Sequence, residues 1–312
     1  MQKILVTGGC GFIGSHVVDI LLKRGYEVYV IDDLSTGSMK NLTDCNNTRL
    51  KIILCDIARS EVKNIIQDIK PEIIMLIAAQ ASVKVSMRDP ILDAQSNIIG
   101  LVNILEAGRK VGCKKVIFAS SGGTIYGEVT EDKLPIKEDQ ELEACSFYGL
   151  TKMTAIGYLK IYKKVFDMNY VALALGNVYG PRQSADGESG VIAIFAKKIL
   201  NDNLCVINGD GKTTRDYVYV EDVAEAFVSS IDKGSGLINI GRGEETSVYE
   251  IFNVLLKSLN KSAEVDFGPC LNGEVRRVCL DPAKAIRELE WFPKVSLEDG
   301  VKKVLDWLKL QS

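Results

Sequence analysis

The stretch that most constrains this chain is its opening, "KILVTGGCGFIGSHVVDILLKRG", residues 3–25. An apolar, partly β-branched run ends at Thr7, glycines then stand three apart at Gly8, Gly11 and Gly14, and apolar residues recur at helical spacing beyond them. Strand, glycine-rich turn and helix in that order make the first part of a dinucleotide-binding βαβ unit. The first glycine turns the chain tightly, the second lets backbone approach a pyrophosphate, and the third packs helix against strand. Asp32 ends the next apolar run, "EVYVIDD", 18 residues past Gly14, near the ~20 expected of a ribose-binding acid. A carboxylate there accepts from both ribose hydroxyls and repels a 2′-phosphate, which favours NAD over NADP. Glycines serving only a tight turn would leave the placement of that acid unexplained.

Beyond this unit the pattern repeats. "LKIILCD", "EIIMLIAA", "KKVIFASS" and "NYVALALGNV" read as buried strands, separated by "EVKNIIQDIK", "NIIGLVNILEAGRKVG" and "YGLTKMTAIGYLKIYKKVF", which read as helices. Such alternation predicts an α/β fold, a doubly wound parallel sheet of the Rossmann type. Glycine-rich loops and shorter elements after about residue 180 predict a smaller C-terminal α/β substrate domain. The expected division is a NAD-binding domain over 1–176, a strand and helix from about 212–240 returning to it, and a substrate domain over most of 177–312. Ser296, with Asp299 three places on, reads as the N-cap of the last helix.

Composition narrows the function classes. Net charge is −3 and the pI about 5.5, so neither nucleic acid nor an anionic membrane is an expected partner. The longest apolar run is far below the roughly 18 residues of a membrane span. The strand-like run beginning at Ile4 leaves no expected signal peptide, and a cytoplasmic location is anticipated. Eight cysteines are scattered with no C-x-x-C, so mostly buried thiols are expected, and no metal site. The single histidine, His16, rules out multi-histidine metal chemistry. The chemistry has to come from other groups.

"SFYGLTK", residues 146–152, offers one. Tyr148 and Lys152 lie four apart on one helical face. A phenol in water is a poor base at neutral pH, and a cation one turn away favours the phenolate. Taken alone, the pair is no more than a common feature of solvated helix faces.

The G-x-x-G-x-x-G spacing together with Y-x-x-x-K resembles the extended short-chain dehydrogenase/reductases, and among them the UDP-glucose 4-epimerase-like sugar-nucleotide enzymes. The likeness runs nearly end to end, through "TGGCGFIGSH", "IDDLSTG", "AAQASVKVS", "FASSGGTIYGE", "YGLTK", "GNVYGPRQ", "GDGKTTRDYVYVEDVAEA" and "GEVRRVCLD". It implies NAD as cofactor and a nucleotide-diphosphate sugar as substrate, epimerised at C4 through a transient 4-keto intermediate. By the same resemblance Phe12 and Ile13 offer amides to pyrophosphate, Asp32, Asp33 and Ser35 hold the adenosine half, and Asp56 and Ile57 form the adenine pocket. Ala78, Ala79 and Asn97 line the cofactor further along, and Lys152 also binds the nicotinamide ribose. The third catalytic member is Ser121 when counted from the strand, with Thr124 as the alternative. Tyr148 is the base, Lys152 lowers its pKa, and activity is expected to rise with pH at a midpoint below that of free tyrosine. Asn177, Arg215 and Arg276 are the implied diphosphate-side contacts, with Ser121, Thr124 and Tyr148 facing the sugar. A homodimer is implied, since "NIIGLVNILEAGRK" and "TKMTAIGYLKIYKKVF" are apolar around more than one face.

Three positions depart from the family pattern. Leu76 stands where His is common, Ala174 where Arg is usual, and Leu271 in place of a second phosphate-binding Arg, for which Arg276 and Arg277 are possible substitutes. A 4,6-dehydratase or decarboxylase is the alternative enzyme. The acids a dehydratase carries after its catalytic Thr are replaced here by Gly122 and Gly123. A non-catalytic NAD-binding regulatory protein is the alternative of another class, and such relatives typically lose the Tyr or Lys kept here.

Overall fold

A computed structural model describes residues 2–42, 48–185, 190–269 and 275–311. Leu271, and with it the question of the second phosphate-binding arginine, lies outside the described residues, as do Cys45 and Cys270.

The first six strands fall where the apolar runs predict them: β1 (Lys3–Thr7), β2 (Glu27–Asp32), β3 (Leu50–Leu54), β4 (Ile73–Leu76), β5 (Lys115–Ser121) and β6 (Asn169–Leu175). The crossovers are α1 (Phe12–Lys23), α2 (Val62–Ile69), α3 (Val83–Arg88), α4 (Pro90–Ala94), α5 (Gly100–Lys110) and α6 (Phe147–Phe166). Beyond them lie β7 (Asn177–Tyr179), α7 (Val191–Leu200), β8 (Cys205–Asn208), β9 (Thr214–Arg215), β10 (Tyr217–Tyr219) and α8 (Val220–Ser229). The chain closes with β11 (Gly236–Ile240), β12 (Thr246–Ser247), α9 (Val248–Leu259), β13 (Val265–Gly268), α10 (Ala283–Leu289) and α11 (Leu297–Gln311).

Seven strands form one sheet in the order β11-β6-β5-β4-β1-β2-β3, and every pairing in it is parallel. The order reverses between β1 and β4. In open sheets of this kind the crevice outside the carboxyl ends, at that reversal, is where a ligand can enter. One sheet face is covered by α2, α5 and α6, through Ile66, Ile104, Leu105, Ile156 and Leu159. The other is covered by α1, α8 and α10, through Val17, Leu21, Val223, Phe227 and Leu289. A third cluster, with Phe195, Ile207, Tyr219, Phe252 and Leu305, gathers α7, β8, β10, α9 and α11. Ser296 caps α11 as the sequence anticipates: its Oγ accepts from Asp299 N–H at 3.1 Å and bonds the Asp299 carboxylate at 2.7 Å.

Leu76 and Ala174 are fully packed core positions of β4 and β6, so these two departures are absorbed by apolar packing. Cys10, Cys113, Cys205 and Cys279 are buried, Cys55 is half-buried, and Cys145 is exposed. Among the described residues no helix is long and apolar enough to cross a membrane.

Candidate active site

The glycine turn is built by close approach. Gly8 has φ +71°, and a Cβ there would lie 2.8 Å from the Cα and N of Ala78. A Cβ on Gly14 would lie 2.0 Å from the Gly8 carbonyl oxygen. The first glycine therefore brings the β4 loop against β1, and the third brings α1 against the turn. Gly11 is the N-cap of α1 and contributes no side-chain cap. Phe12 and Ile13 occupy the first turn, whose amides have no intrahelical acceptor and point out of the helix. A helix start of this kind favours an anion.

Around this turn the structure gathers the other residues expected at the cofactor. Asp32 is buried at the end of β2, and its two oxygens accept from Cys10 N–H at 2.9 Å and Leu34 N–H at 2.8 Å. Asp33 accepts from Ser35 through both its amide (2.9 Å) and its hydroxyl (2.6 Å), so these two residues form one exposed turn. Asp56 accepts from Ala58 N–H at 2.8 Å, and the Ile57 carbonyl accepts from Asn103 of α5 at 3.1 Å. Ala78 donates to the Thr7 carbonyl at 3.0 Å, with Ala79 beside it. Asn97 lies in a π-helical turn, residues 95–99, and exchanges hydrogen bonds with the Gln80 backbone, both at 3.0 Å. All of these stand at the carboxyl edge of the sheet.

Tyr148 and Lys152 enter from α6, whose N-cap Ser146 accepts from Gly149 N–H at 3.1 Å. Ser121 ends β5, and its hydroxyl lies near enough to the Tyr148 phenol to lower its pKa. The Thr124 hydroxyl turns back to the Ser121 carbonyl at 3.5 Å. Lys152 is buried, donates to the Ala119 carbonyl at 2.9 Å, and lies 5.6 Å from the centre of the Tyr148 ring.

The electrostatics differ from the sequence expectation. In the protein alone, burial pushes the Tyr148 phenol up to about 12, against a smaller lowering by the Ser121 hydroxyl. Burial also pulls Lys152 down to about 8. The expectation that Lys152 brings the phenol below its ordinary value is therefore not met by these residues on their own. Both groups are withdrawn from water, and desolvation disfavours each charged form more than their neighbourhood helps.

On the far side of the cleft, Asn177 opens β7 and donates its N–H to the Asp216 carbonyl at 2.7 Å, which sets it beside Arg215. A Cβ on Gly123 would lie 3.6 Å from Asn177 Oδ1, so the loop after β5 faces this wall. The Arg276 carbonyl accepts from Thr214 N–H at 3.0 Å, while its side chain is largely exposed, 3.7 Å from Asp210. Arg277 is engaged by Glu245 at 2.7 Å and Glu131 at 3.1 Å, which leaves Arg276 the more available of the two.

Sequence reasoning passed over Asp93, a fully buried acid beneath Asn97 and Thr151. The available signal was its place four residues before Asn97, on the same helical face.

Comparison with known proteins agrees with this geometry. The family model described as GDP-mannose 4,6 dehydratase matches residues 5–304. A putative UDP-glucose 4-epimerase of Methanocaldococcus jannaschii is 40% identical over 306 residues, covering 98% of each chain. The structure of a Thermotoga maritima UDP-glucose 4-epimerase with UDP-glucose superposes with a TM-score of 0.96 at 41% identity, covering 99% of both chains. That of a Thermus thermophilus UDP-glucose 4-epimerase in complex with NAD gives 0.93 at 38%, again over 99% of both.

Proposed function

Since the chain belongs to the short-chain dehydrogenase/reductase family of sugar-nucleotide epimerases and dehydratases, we propose that it is an NAD-dependent enzyme interconverting the C4 epimers of a UDP-sugar, UDP-glucose and UDP-galactose or an N-acetylated analogue. The observation that carries this reading is the Ser121 hydroxyl beside the Tyr148 phenol, with Lys152 one turn behind, at the same sheet edge as the Gly8–Gly14 cradle.

The residues fit the cofactor. The uncapped start of α1 suits a pyrophosphate, and Asp32 at the end of β2 suits an unphosphorylated ribose, so NAD is preferred over NADP. Bound NAD supplies a positively charged hydride acceptor for the sugar carbon and a donor for its return. Tyr148 takes the proton of the C4 hydroxyl and returns it, and Ser121 orients that hydroxyl by a hydrogen bond. The buried Lys152 ammonium stabilises negative charge developing on the Tyr148 oxygen. Asn177, Arg215 and Arg276 hold the diphosphate side, where an arginine fork suits phosphate oxygens. The cofactor-binding part comprises residues 1–176 together with a returning segment at about 212–240, and the substrate part most of 177–312.

Dehydration is the second reading within the family, and Gly122 and Gly123 count against it. Neither can donate a proton to a leaving C6 hydroxyl, and no acid occupies those two positions. The proposal is tested by incubating Tyr148→Phe and the parent protein with UDP-glucose and reading products by NMR. The Phe variant removes one oxygen and keeps ring packing, so it is expected to fold and hold NAD while turnover drops roughly 10²–10⁴-fold. Ser121→Ala is expected to cost less, since it removes a hydrogen bond and no base. A folded Tyr148→Phe protein with parental turnover would refute the assignment.

A further inference from the structure

Behind the Tyr148–Lys152 pair lies a carboxylate with no solvent contact. Asp93, in α4, is fully buried. Its Oδ1 accepts from Gln80 Nε2 at 2.7 Å and Asn97 Nδ2 at 3.1 Å, and its Oδ2 accepts from Thr151 Oγ1 at 2.9 Å. Both amides are oriented by other contacts. Gln80 Oε1 accepts from Ser82 N–H at 2.6 Å, and Asn97 Oδ1 accepts from Gln80 N–H at 3.0 Å. Each therefore presents N–H to Asp93, as an acceptor-only carboxylate requires. The Thr151 hydroxyl has one proton to divide between Asp93 and the Tyr148 carbonyl, also 2.9 Å away.

A buried charge is costly unless something offsets it. Lys152 donates to the Ala119 carbonyl, which is a dipole and no counter-ion. Asp93 is the acid whose field acts on both members of the pair, favouring the Lys152 ammonium and opposing the Tyr148 phenolate. The other elements around the pair bring neutral groups: Ser121 from β5, Asn97 from the π-helical turn, and Gln80 from the loop after β4. Lys84 and Arg88 of α3 are exposed, and Glu106 and Arg109 of α5 engage each other beside Tyr162, toward the far end of α6.

We propose that Asp93 is a positioning residue for the Tyr148–Lys152 pair, the buried counter-charge of Lys152 and the clamp that ties the first turn of α6 to α4 and the Asn97 turn. The proposal rests on the reading of Tyr148 and Lys152 as the catalytic pair. Through Thr151, next in sequence to Lys152, Asp93 fixes where α6 starts. Through Asn97 and Gln80 it links that start to the carboxyl edge of β4. Its charge keeps Lys152 protonated in a dry pocket, while its place behind the phenol keeps Tyr148 neutral until a positive charge arrives on the open side.

The test is a ¹³Cε-lysine NMR titration of the full chain. A resonance titrating near pH 8, absent from Lys152→Met, identifies Lys152 against surface lysines near their ordinary value. In Asp93→Asn its midpoint is expected to fall by about one pH unit, and in Asp93→Glu, which keeps the charge, to stay close to the parent. An unmoved midpoint in Asp93→Asn, or an equal fall in Asp93→Glu, would overturn the proposal in favour of a purely structural role. Should Asp93→Asn not fold, the parent decides: its Asp93 side-chain ¹³C shift must be that of a carboxylate from pH 6 to 9, and a protonated Asp93 overturns the proposal. These readouts need no turnover, so failure of the catalytic reading shows separately, in the rates of Tyr148→Phe.

Discussion

Lys152 shows how a single residue sets function against stability. Its pKa is lowered from 10.5 to about 8 by burial, so below pH 8 the fold carries a buried charge that the unfolded chain would hold in water. The difference corresponds to roughly 3 kcal/mol at pH 7. Between about pH 8 and 10.5 the unfolded state binds more protons than the folded one, so this contribution makes stability rise with pH across that window. Lys152→Met, in protein stripped of nucleotide, removes the titrating group but leaves the buried Asp93 without its counter-charge, so the variant is expected to lack much of the rise between pH 7 and 9.5. Urea titrations at both pH values check this, and a variant that keeps the full parental rise would contradict the assignment of that window to Lys152. In the same variant, turnover should fall. The Tyr and Lys were legible in the sequence because their spacing announces a shared helical face. Asp93 was not, since an acid on a helix usually marks a solvated surface and only the folded chain places this one under Thr151 and Asn97.

At the scale of elements, the apolar runs carried most of the information. Buried parallel strands are apolar on both faces, so β1, β2, β4, β5 and β6 stand out from the polar segments around them, while the edge strand β3 is only half-buried. The five-residue α4 and the two- to four-residue strands β8, β9, β12 and β13 are too short for any period to emerge. The π-helical turn that carries Asn97 likewise leaves no pattern in sequence, because it is one irregular turn between α4 and α5. The glycine turn was legible, and its tolerance can be graded. Gly14→Ala would place a methyl 2.0 Å from the Gly8 carbonyl oxygen and must displace α1 or the turn. It is expected to cost on the order of 1–3 kcal/mol and to strip bound NAD. Gly123→Ala would meet only Asn177 Oδ1 at 3.6 Å, and should leave melting temperature and NAD content near parental values. Equal losses in both would show that the cradle is not held by close approach.

For the whole molecule, α3, α4 and the turn after it expose Met87, Ile91, Leu92 and Ile99, and α6 exposes Tyr158, Ile161, Val165 and Phe166. Ile91 is 69% exposed and Val165 60%, so the sheet does not absorb the apolar excess of these helices. We expect this face to pair with its copy about a two-fold axis. Light scattering should report twice the 34.2 kDa chain mass, and Ile161→Asp should lower it towards a monomer without loss of fold. A parent that is monomeric at micromolar concentration would count against pairing. The chemistry is read most plainly from the hydrogen at C4. UDP-glucose incubated with the protein in D₂O, with no nucleotide added, should yield UDP-galactose that keeps protium at C4, because the same hydrogen leaves and returns within the site. Deuterium at C4 of the product, or no product from folded, NAD-loaded protein offered UDP-glucose and its N-acetylated analogue, would contradict the account.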